Sequence, residues 1–123
     1  MRELEKDIQR SILDYLELKR YFFWRNNSGA FKALRDDGRM GFYRFGQAGS
    51  PDIFVIVPEF DHHVSQDMRK SICHCIFGQV YGLEVKTSKG KQSDSQEAWQ
   101  RGFEKAGGKY LLIRSLDEIM EVF

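Results

Sequence analysis

The most constraining feature of the sequence is the run from Pro51 to Val57, which is apolar at every position except Asp52. Such a run is typical of a strand that is buried on both faces. Pro58 follows it and is predicted to end the strand, because proline cannot donate to a sheet ladder. The fold must therefore cover both faces of the sheet that contains this strand.

The first half of the chain predicts a helix and short strands. Residues 3–19 carry apolar side chains at helical spacing with charges between them, which predicts an amphipathic first helix. The aromatic residues of Tyr21–Arg25 predict a strand, and Asn26–Gly29 predict a turn. Residues 30–50 are rich in glycine and basic side chains, and within them only Gly41–Phe45 has the character of a short strand.

The segment after Pro58 predicts an excursion that returns to the sheet. Residues 59–71 are polar and are predicted to be irregular. Ile72–Phe77 predicts a strand, and a turn at Gly78-Gln79 leads into another strand over Val80–Lys86. In that last strand Leu83 and Val85 alternate with polar neighbours, so one strand face is predicted to be buried.

Capping signals define the next helix. Ser93 and Gln96 have the spacing of a capping box, which predicts a helix over Asp94–Ala106. Gly107-Gly108 is a helix stop. A strand over Lys109–Arg114 follows, and Ser115 with Glu118 then resembles a second capping box that opens a final short helix.

This order of helix, strands, helix, strand and helix predicts an α/β fold with a central mixed β-sheet flanked by helices. A chain of 123 residues with 41% hydrophobic residues is sufficient for one core, so residues 1–123 are predicted to form a single domain.

Charge and cysteine content limit the possible classes of function. The formal net charge is only +1, so overall charge gives no evidence for nucleic acid. Cys73 and Cys75 are separated by one residue, which excludes a disulfide framework and fits a reducing compartment. The charged N-terminus lacks the apolar region of a signal peptide, and no apolar run is long enough to span a membrane. We expect an intracellular (cytoplasmic) protein without a membrane partner or a small-molecule cofactor.

Two acids and a lysine suggest a metal site. Asp52 lies at the mouth of the buried strand, where an acid is costly unless it is hydrogen-bonded or binds a cation. Glu84 and Lys86 project from the polar face of a second strand, so neighbouring strands would bring the two acids together. Such a pair favours Mg²⁺ or Mn²⁺, with the Val85 carbonyl as a further ligand and Lys86 beside the metal. The alternative is a salt bridge on a solvated strand.

Basic side chains are concentrated around these acids and are interleaved with aromatic residues. They suit a surface that contacts phosphates. The candidate DNA-binding residues are Arg25, Lys32, Arg35, Arg39, Arg44, Lys89 and Lys91. No segment resembles a base-reading element, so recognition of backbone or structure is predicted.

A group of histidine and cysteine residues allows a second interpretation, a zinc-stabilised interaction domain. Its spacing does not match a zinc finger or ribbon, and the cysteines can equally be small buried residues. The group comprises His62, His63, Cys73, His74 and Cys75.

Pro51-Asp52, followed after a long gap by Glu84-Val85-Lys86, resembles the motif of the PD-(D/E)xK nuclease superfamily. The ordered blocks EKDIQRSILDYLELK, FFWRNNSGAF, GSPDIFVIV, GLEVKTSKGKQSDSQ and AGGKYLLIRSLDE resemble the virus-type replication-repair nuclease (VRR-NUC) family in its stand-alone form. The similarity covers nearly the whole chain except residues 58–79, where the connection is longer than the family pattern. It implies a restriction-endonuclease-like core.

The resemblance assigns roles residue by residue. Asp52 and Glu84 match the metal-binding acids, and Lys86 matches the catalytic lysine. Gln96 matches a glutamine on the following helix, and Glu5 matches an acid of the first helix that supports the site. For Gln96 the alternative is the capping role alone, and for Glu5 it is a solvated acid favoured by the helix dipole.

The resemblance also implies a function. It predicts a Mg²⁺- or Mn²⁺-dependent DNA endonuclease of phage or bacterial type that acts on branched DNA, such as four-way (Holliday) junctions, as a homodimer. A different possibility is a catalytically silent DNA-binding module on the same fold.

Overall fold

A computed structural model describes residues 3–63 and 73–123. It is an α/β fold with a mixed four-stranded sheet, a separate two-stranded hairpin and three helices among these residues. The elements in chain order are α1 (Glu5–Leu18), β1 (Phe22–Arg25), β2 (Gly29–Leu34), β3 (Met40–Phe45), β4 (Ile53–His63), β5 (Cys73–Val85), α2 (Asp94–Lys105), β6 (Lys109–Ile113) and α3 (Leu116–Val122). The predicted mixed sheet flanked by helices is confirmed.

The four-stranded sheet has the order β1-β4-β5-β6. β4 is antiparallel to both β1 and β5, whereas β5 and β6 are parallel. The parallel pair needs a crossover connection, which α2 provides. β4 and β5, the strands that carry the candidate site, therefore lie at the centre of the sheet.

Both faces of the sheet are covered, as the apolar run predicted. On one face α1 and α3 pack against a core that includes Ile53 and Val55, both fully buried. On the other face the Phe54 ring contacts α2 through Trp99 and Phe103, at centroid distances of 5.9 and 6.1 Å. The α2 face is only half-buried, so burial is more complete beneath α1 and α3.

The predicted ends of the two central strands are wrong. β4 continues through Pro58 to His63, and β5 runs from Cys73 without a turn at Gly78-Gln79. Pairing between β1 and β4 ends at Ile56, so Pro58 lies where β4 has a described partner on one side only, and there proline is tolerated. Gly78 permits close packing, because a Cβ there would lie 2.7 Å from the Ile56 side chain.

The excursion between these strands is therefore partly regular. Residues 59–63, predicted to be irregular, belong to β4, and residues 73–77 of the predicted strand belong to β5. The rest of both predictions, residues 64–72, lies outside the described part of the chain.

The prediction for residues 30–50 found one strand where the structure has two. β2 pairs with β3 in an antiparallel hairpin. The Arg35 N–H donates to the Arg39 carbonyl at 2.8 Å across the turn, where Gly38 has a φ of 79°. The Asp37-Gly38 pair is a hairpin signal, but Gly29, Ala30 and Ala33 give β2 little strand character.

Helix ends agree closely with their capping signals. Ser93 and Gln96 form the predicted capping box of α2, and Gly107 follows the helix with a φ of 101°. At α3 the Ser115 side chain accepts from the Glu118 N–H as predicted, but the Glu118 carboxylate accepts from the Arg114 N–H, so the box is incomplete. None of the helices that the structure describes has the length and apolar character to cross a membrane.

Candidate metal site

The candidate site lies where β4 begins and β5 ends. Asp52 immediately precedes β4, and its N–H donates to the Leu83 carbonyl at 3.0 Å. Its carboxylate Oδ2 accepts from the Val85 N–H at 2.8 Å. These two bonds fix the acid against the strand that carries Glu84, so the structure brings together the two acids that the sequence paired.

Glu84 is a buried acid on the face of the sheet that α2 covers. The residue is 2% exposed, whereas Leu83 and Val85 point into the core on the opposite face. Its Oε1 accepts from Gln96 Nε2 at 2.8 Å and lies 3.5 Å from Lys86 Nζ. The alternative, a salt bridge on a solvated strand, is therefore correct in the ion pair and wrong in its setting, because the carboxylate is removed from solvent.

The second oxygen of Glu84 has no such support. Oε2 is buried and has no hydrogen-bond partner within residues 3–63 and 73–123. A buried carboxylate oxygen without a partner is costly, so Oε2 is the atom of this site at which a bound cation or a proton would be stabilised.

Burial raises the pKa of both acids, and for Glu84 the charge of Asp52 adds to it. Burial is the largest cause for Glu84, followed by the charge of Asp52, and together they raise its pKa to about 7 despite the opposing charge of Lys86. Burial also raises the pKa of Asp52, opposed by the hydrogen bond from Val85 and then by the charges of Lys86 and Arg25. A cation between the carboxylates would remove this repulsion.

Gln96 makes the hydrogen bonds that both of its interpretations require. Its Oε1 accepts from the Ser93 N–H at 2.9 Å, which completes the capping box, while its Nε2 donates to Glu84. One amide therefore caps α2 and positions the buried carboxylate.

The donor set fits a hard divalent cation on one observation, the unpartnered Glu84 Oε2 beside Asp52. Oxygen ligands and a partly hydrated coordination sphere are what Mg²⁺ prefers. In the described segments no group of three or more His, Cys, Asp or Glu side chains is arranged to hold a metal ion. The site thus relies on two carboxylates, and the ligand role of the Val85 carbonyl stays a prediction.

Glu5 lies at the edge of this site. It is the first residue of α1, it is exposed, and its charge contributes to raising the pKa of Glu84. The acid is therefore near enough to influence the site electrostatically, while its predicted role as a ligand is not tested.

The seven candidate DNA-binding residues are all exposed. Arg25 pairs with Ile53 in the sheet and lies close enough to oppose the raised pKa of Asp52. Lys89 and Lys91 follow β5 in a loop that Arg114 holds through bonds to the Thr87 and Gly90 carbonyls. The other four are carried by the β2–β3 hairpin and its turn: Lys32, Arg35, Arg39 and Arg44.

Sequence reasoning missed a residue that supports the site, Asn26, and a buried tyrosine near it, Tyr110. The Asn26 N–H donates to the Asp52 carbonyl at 2.7 Å, and its side-chain amide donates to Ser50 Oγ and to the Pro51 carbonyl. Tyr110 on β6 is buried, and its pKa is raised to about 12, first by burial, with the charges of Glu84 and Asp52 contributing. No local pattern distinguishes these residues from an ordinary turn and a core tyrosine.

A second missed feature is a groove of about 580 Å³ beside α1 that reaches Arg25. Lys6 and Arg10 line it, together with Asp7 and Asp14. Lys6 and Arg10 are four residues apart on one helix, so their common face was visible in the sequence.

The histidine and cysteine group remains untested. The backbone register places His62 opposite His74 and His63 opposite Cys73. The side chains of these residues and of Cys75 lie outside the described part of the structure. The zinc interpretation depends on those side chains.

No protein-family model, curated protein or solved structure matches the chain. The fold and the geometry of the site are therefore the observations on which a function has to be argued.

Proposed function

We propose that the protein is a Mg²⁺- or Mn²⁺-dependent DNA endonuclease with a PD-(D/E)xK-type site, similar to stand-alone VRR-NUC domains. The observation that carries the proposal is the buried Glu84, whose Oε2 has no partner among the described residues and whose neighbour is a second acid, Asp52. Lys86 and Gln96 both approach its other oxygen.

In this proposal Asp52 and Glu84 hold the metal, and Gln96 keeps the Glu84 side chain oriented. When bound, the metal supplies an activated water and offsets the charge that develops on the phosphodiester. The Lys86 ammonium lies at the same carboxylate, where it orients the attacking water or neutralises developing negative charge. Exposed basic residues such as Arg25 contact the flanking phosphates.

Branched DNA is the proposed substrate, on the basis of the family resemblance. A four-way junction has two-fold symmetry, and two identical sites in a homodimer suit paired cuts across it. The described part of the chain carries one candidate site, so paired cuts need a second copy.

The test uses end-labelled linear, flap and four-way DNA of matched length with Mg²⁺, Mn²⁺ or a chelator. Metal-dependent cleavage, strongest on the four-way substrate, is the expected result. If the protein binds DNA but does not cleave it under any metal condition, it is a catalytically silent DNA-binding module and not a nuclease. Elemental analysis of the same protein would reveal stoichiometric zinc if the histidine and cysteine group is a structural metal site.

A further inference from the structure

The β2–β3 hairpin exposes an aromatic surface that no other described element covers. Phe31, Tyr43 and Phe45 lie on one face of the hairpin, because Phe31 pairs with Tyr43 and Gly29 pairs with Phe45. They are 52%, 42% and 45% exposed. These three rings are called the aromatic face below. An exposed apolar patch of this kind marks an interaction site.

Two rings of the aromatic face form a stacked pair, and the Phe45 ring is tilted by 42° against Phe31. Phe31 and Tyr43 are stacked with centroids 5.4 Å apart and planes 20° apart, and Phe45 follows at 6.3 Å. Two glycines make this possible: a Cβ on Gly29 would lie 3.0 Å from the Phe45 ring, and one on Gly41 would lie 2.9 Å from the Tyr43 ring. The rings lie close against the backbone, and planar groups can stack on them.

The charges near the aromatic face indicate which kind of molecule it binds. The hairpin carries four cations against two acids, Asp36 and Asp37. Lys32 and Arg44 belong to the opposite face of the hairpin, whereas Arg35 and Arg39 lie in the turn. Arg35 also lies beside the aromatic face, since its Nε would be 2.6 Å from a Cβ on Gly41. Aromatic rings with adjacent arginines are typical of proteins that bind unpaired nucleotides, where bases stack and phosphates meet the cations.

The hairpin is rooted at the candidate metal site. The segments that flank the hairpin are joined by hydrogen bonds from the Asn26 side chain to Ser50 and Pro51, at 2.8 and 2.9 Å, directly before Asp52. Gly49 adjoins the first turn of α2, where a Cβ would overlap the Ser95 carbonyl. Six cross-strand pairs extend the hairpin roughly 20 Å from this base, which is the span of several nucleotides.

We infer that the β2–β3 hairpin is an arm that binds unpaired nucleotides next to the cleaved phosphate, with their bases stacked on the aromatic face. This inference rests on the proposed function, which it deepens by naming nucleotides that are unpaired at a branch point as the group that the hairpin binds. Contacts to the phosphate backbone alone would not require an aromatic face. Double-stranded DNA offers no free base faces along its length for such rings to stack on.

The test measures binding in a chelator, so that cleavage plays no part. A fluorescein-labelled single-stranded oligonucleotide and the matching duplex are titrated with wild-type protein and with the double variant Phe31→Leu/Tyr43→Leu. Leucine keeps an apolar side chain in the strand but removes the ring face. The variant is expected to lose about tenfold or more in affinity for the single strand, with little change for the duplex.

The matched control is Leu34→Ala/Met40→Ala, which alters an exposed apolar cross-strand pair on the opposite face. It is expected to bind like the wild type. The inference would be overturned if both double variants lost affinity equally or if Phe31→Leu/Tyr43→Leu bound like the wild type. It would also be overturned if the sedimentation coefficient of Phe31→Leu/Tyr43→Leu changed, because the face would then be a contact between copies. Loss of single-strand binding in a protein that never cleaves DNA would instead refute the proposed function alone.

Discussion

Gln96 Nε2 donates to Glu84 Oε1 at 2.8 Å, while the other end of the same amide accepts from the backbone of Ser93. The start of α2 and the buried carboxylate are thereby coupled through one side chain. A change at Gln96 is expected to affect both helix stability and the site, whereas a change at Ser93 should affect only the helix.

The first prediction uses that difference. Ser93→Ala is expected to destabilise the fold by about 1 kcal/mol through loss of the cap, with cleavage nearly unchanged. Gln96→Ala is expected to destabilise the fold similarly and also to reduce cleavage at least tenfold, because Glu84 loses its orienting donor. Urea unfolding and single-turnover cleavage measure the two effects. Equal cleavage rates in the two variants would restrict Gln96 to capping.

Lys86→Ala is predicted to lose cleavage but retain much of the metal affinity. The Nζ lies 3.5 Å from Glu84 Oε1 and has no capacity to bind a cation as an ammonium group, so its removal acts on the water and the developing charge. Calorimetry with Mn²⁺ and a cleavage assay separate the two properties. A simultaneous loss of metal binding and of the folded circular dichroism spectrum would assign Lys86 a structural role.

A third prediction concerns pH and the metal-free protein. The pKa of Glu84 rises from the ordinary 4.5 to about 7 on folding, so the folded state binds this proton more tightly than the unfolded state. The resulting contribution to stability is fully present below about pH 4.5 and is lost as the pH rises through 7. As the pH rises across this range, the free energy of unfolding of the wild-type protein is expected to fall by up to about 3 kcal/mol relative to that of Glu84→Gln.

Urea unfolding of both proteins in a chelator measures the difference at each pH, and the comparison cancels the acids that do not interact with Glu84. A difference that stays constant between pH 4.5 and 7.5 would mean that Glu84 is not buried as an uncompensated charge.

The fourth prediction concerns assembly. The junction-cutting form is expected to sediment at twice the 14.4 kDa mass of one chain. DNA binding is expected to weaken steeply with salt, because each phosphate contact releases counterions. A strictly monomeric protein with equal activity on linear duplex and four-way DNA would remove the dimer and the junction preference, and would leave a general metal-dependent nuclease.

Much of the fold followed from local patterns. The apolar run before Pro58 located a central strand, and the Ser93–Gln96 spacing fixed the start of α2. The extension of β4 and β5 could not be predicted, because the effect of Pro58 depends on whether a neighbouring strand is present. The pairing of β1 with β4 ends before Pro58, and only the tertiary structure shows where it ends.

The candidate site was predictable in its members but not in its environment. Strand alternation placed Glu84 and Lys86 on one face. Their proximity to Asp52 followed from the assumption that the two strands are neighbours in the sheet. The burial of Glu84 depends on the distant α2, and the Asn26 side chain that braces the chain before Asp52 gave no local signal. The hairpin strand β2 was missed because glycine and alanine diluted its pattern.

The most direct measurement of the central claim is the rate of Mg²⁺-dependent cleavage of a labelled four-way junction by wild type, Asp52→Asn and Glu84→Gln. Both substitutions keep side-chain shape and remove one negative charge from the site. We expect cleavage by the wild type and a loss of at least a hundredfold in each variant, with DNA affinity in a chelator equal or slightly tighter. Cleavage by Glu84→Gln at the wild-type rate would contradict the assignment of this site.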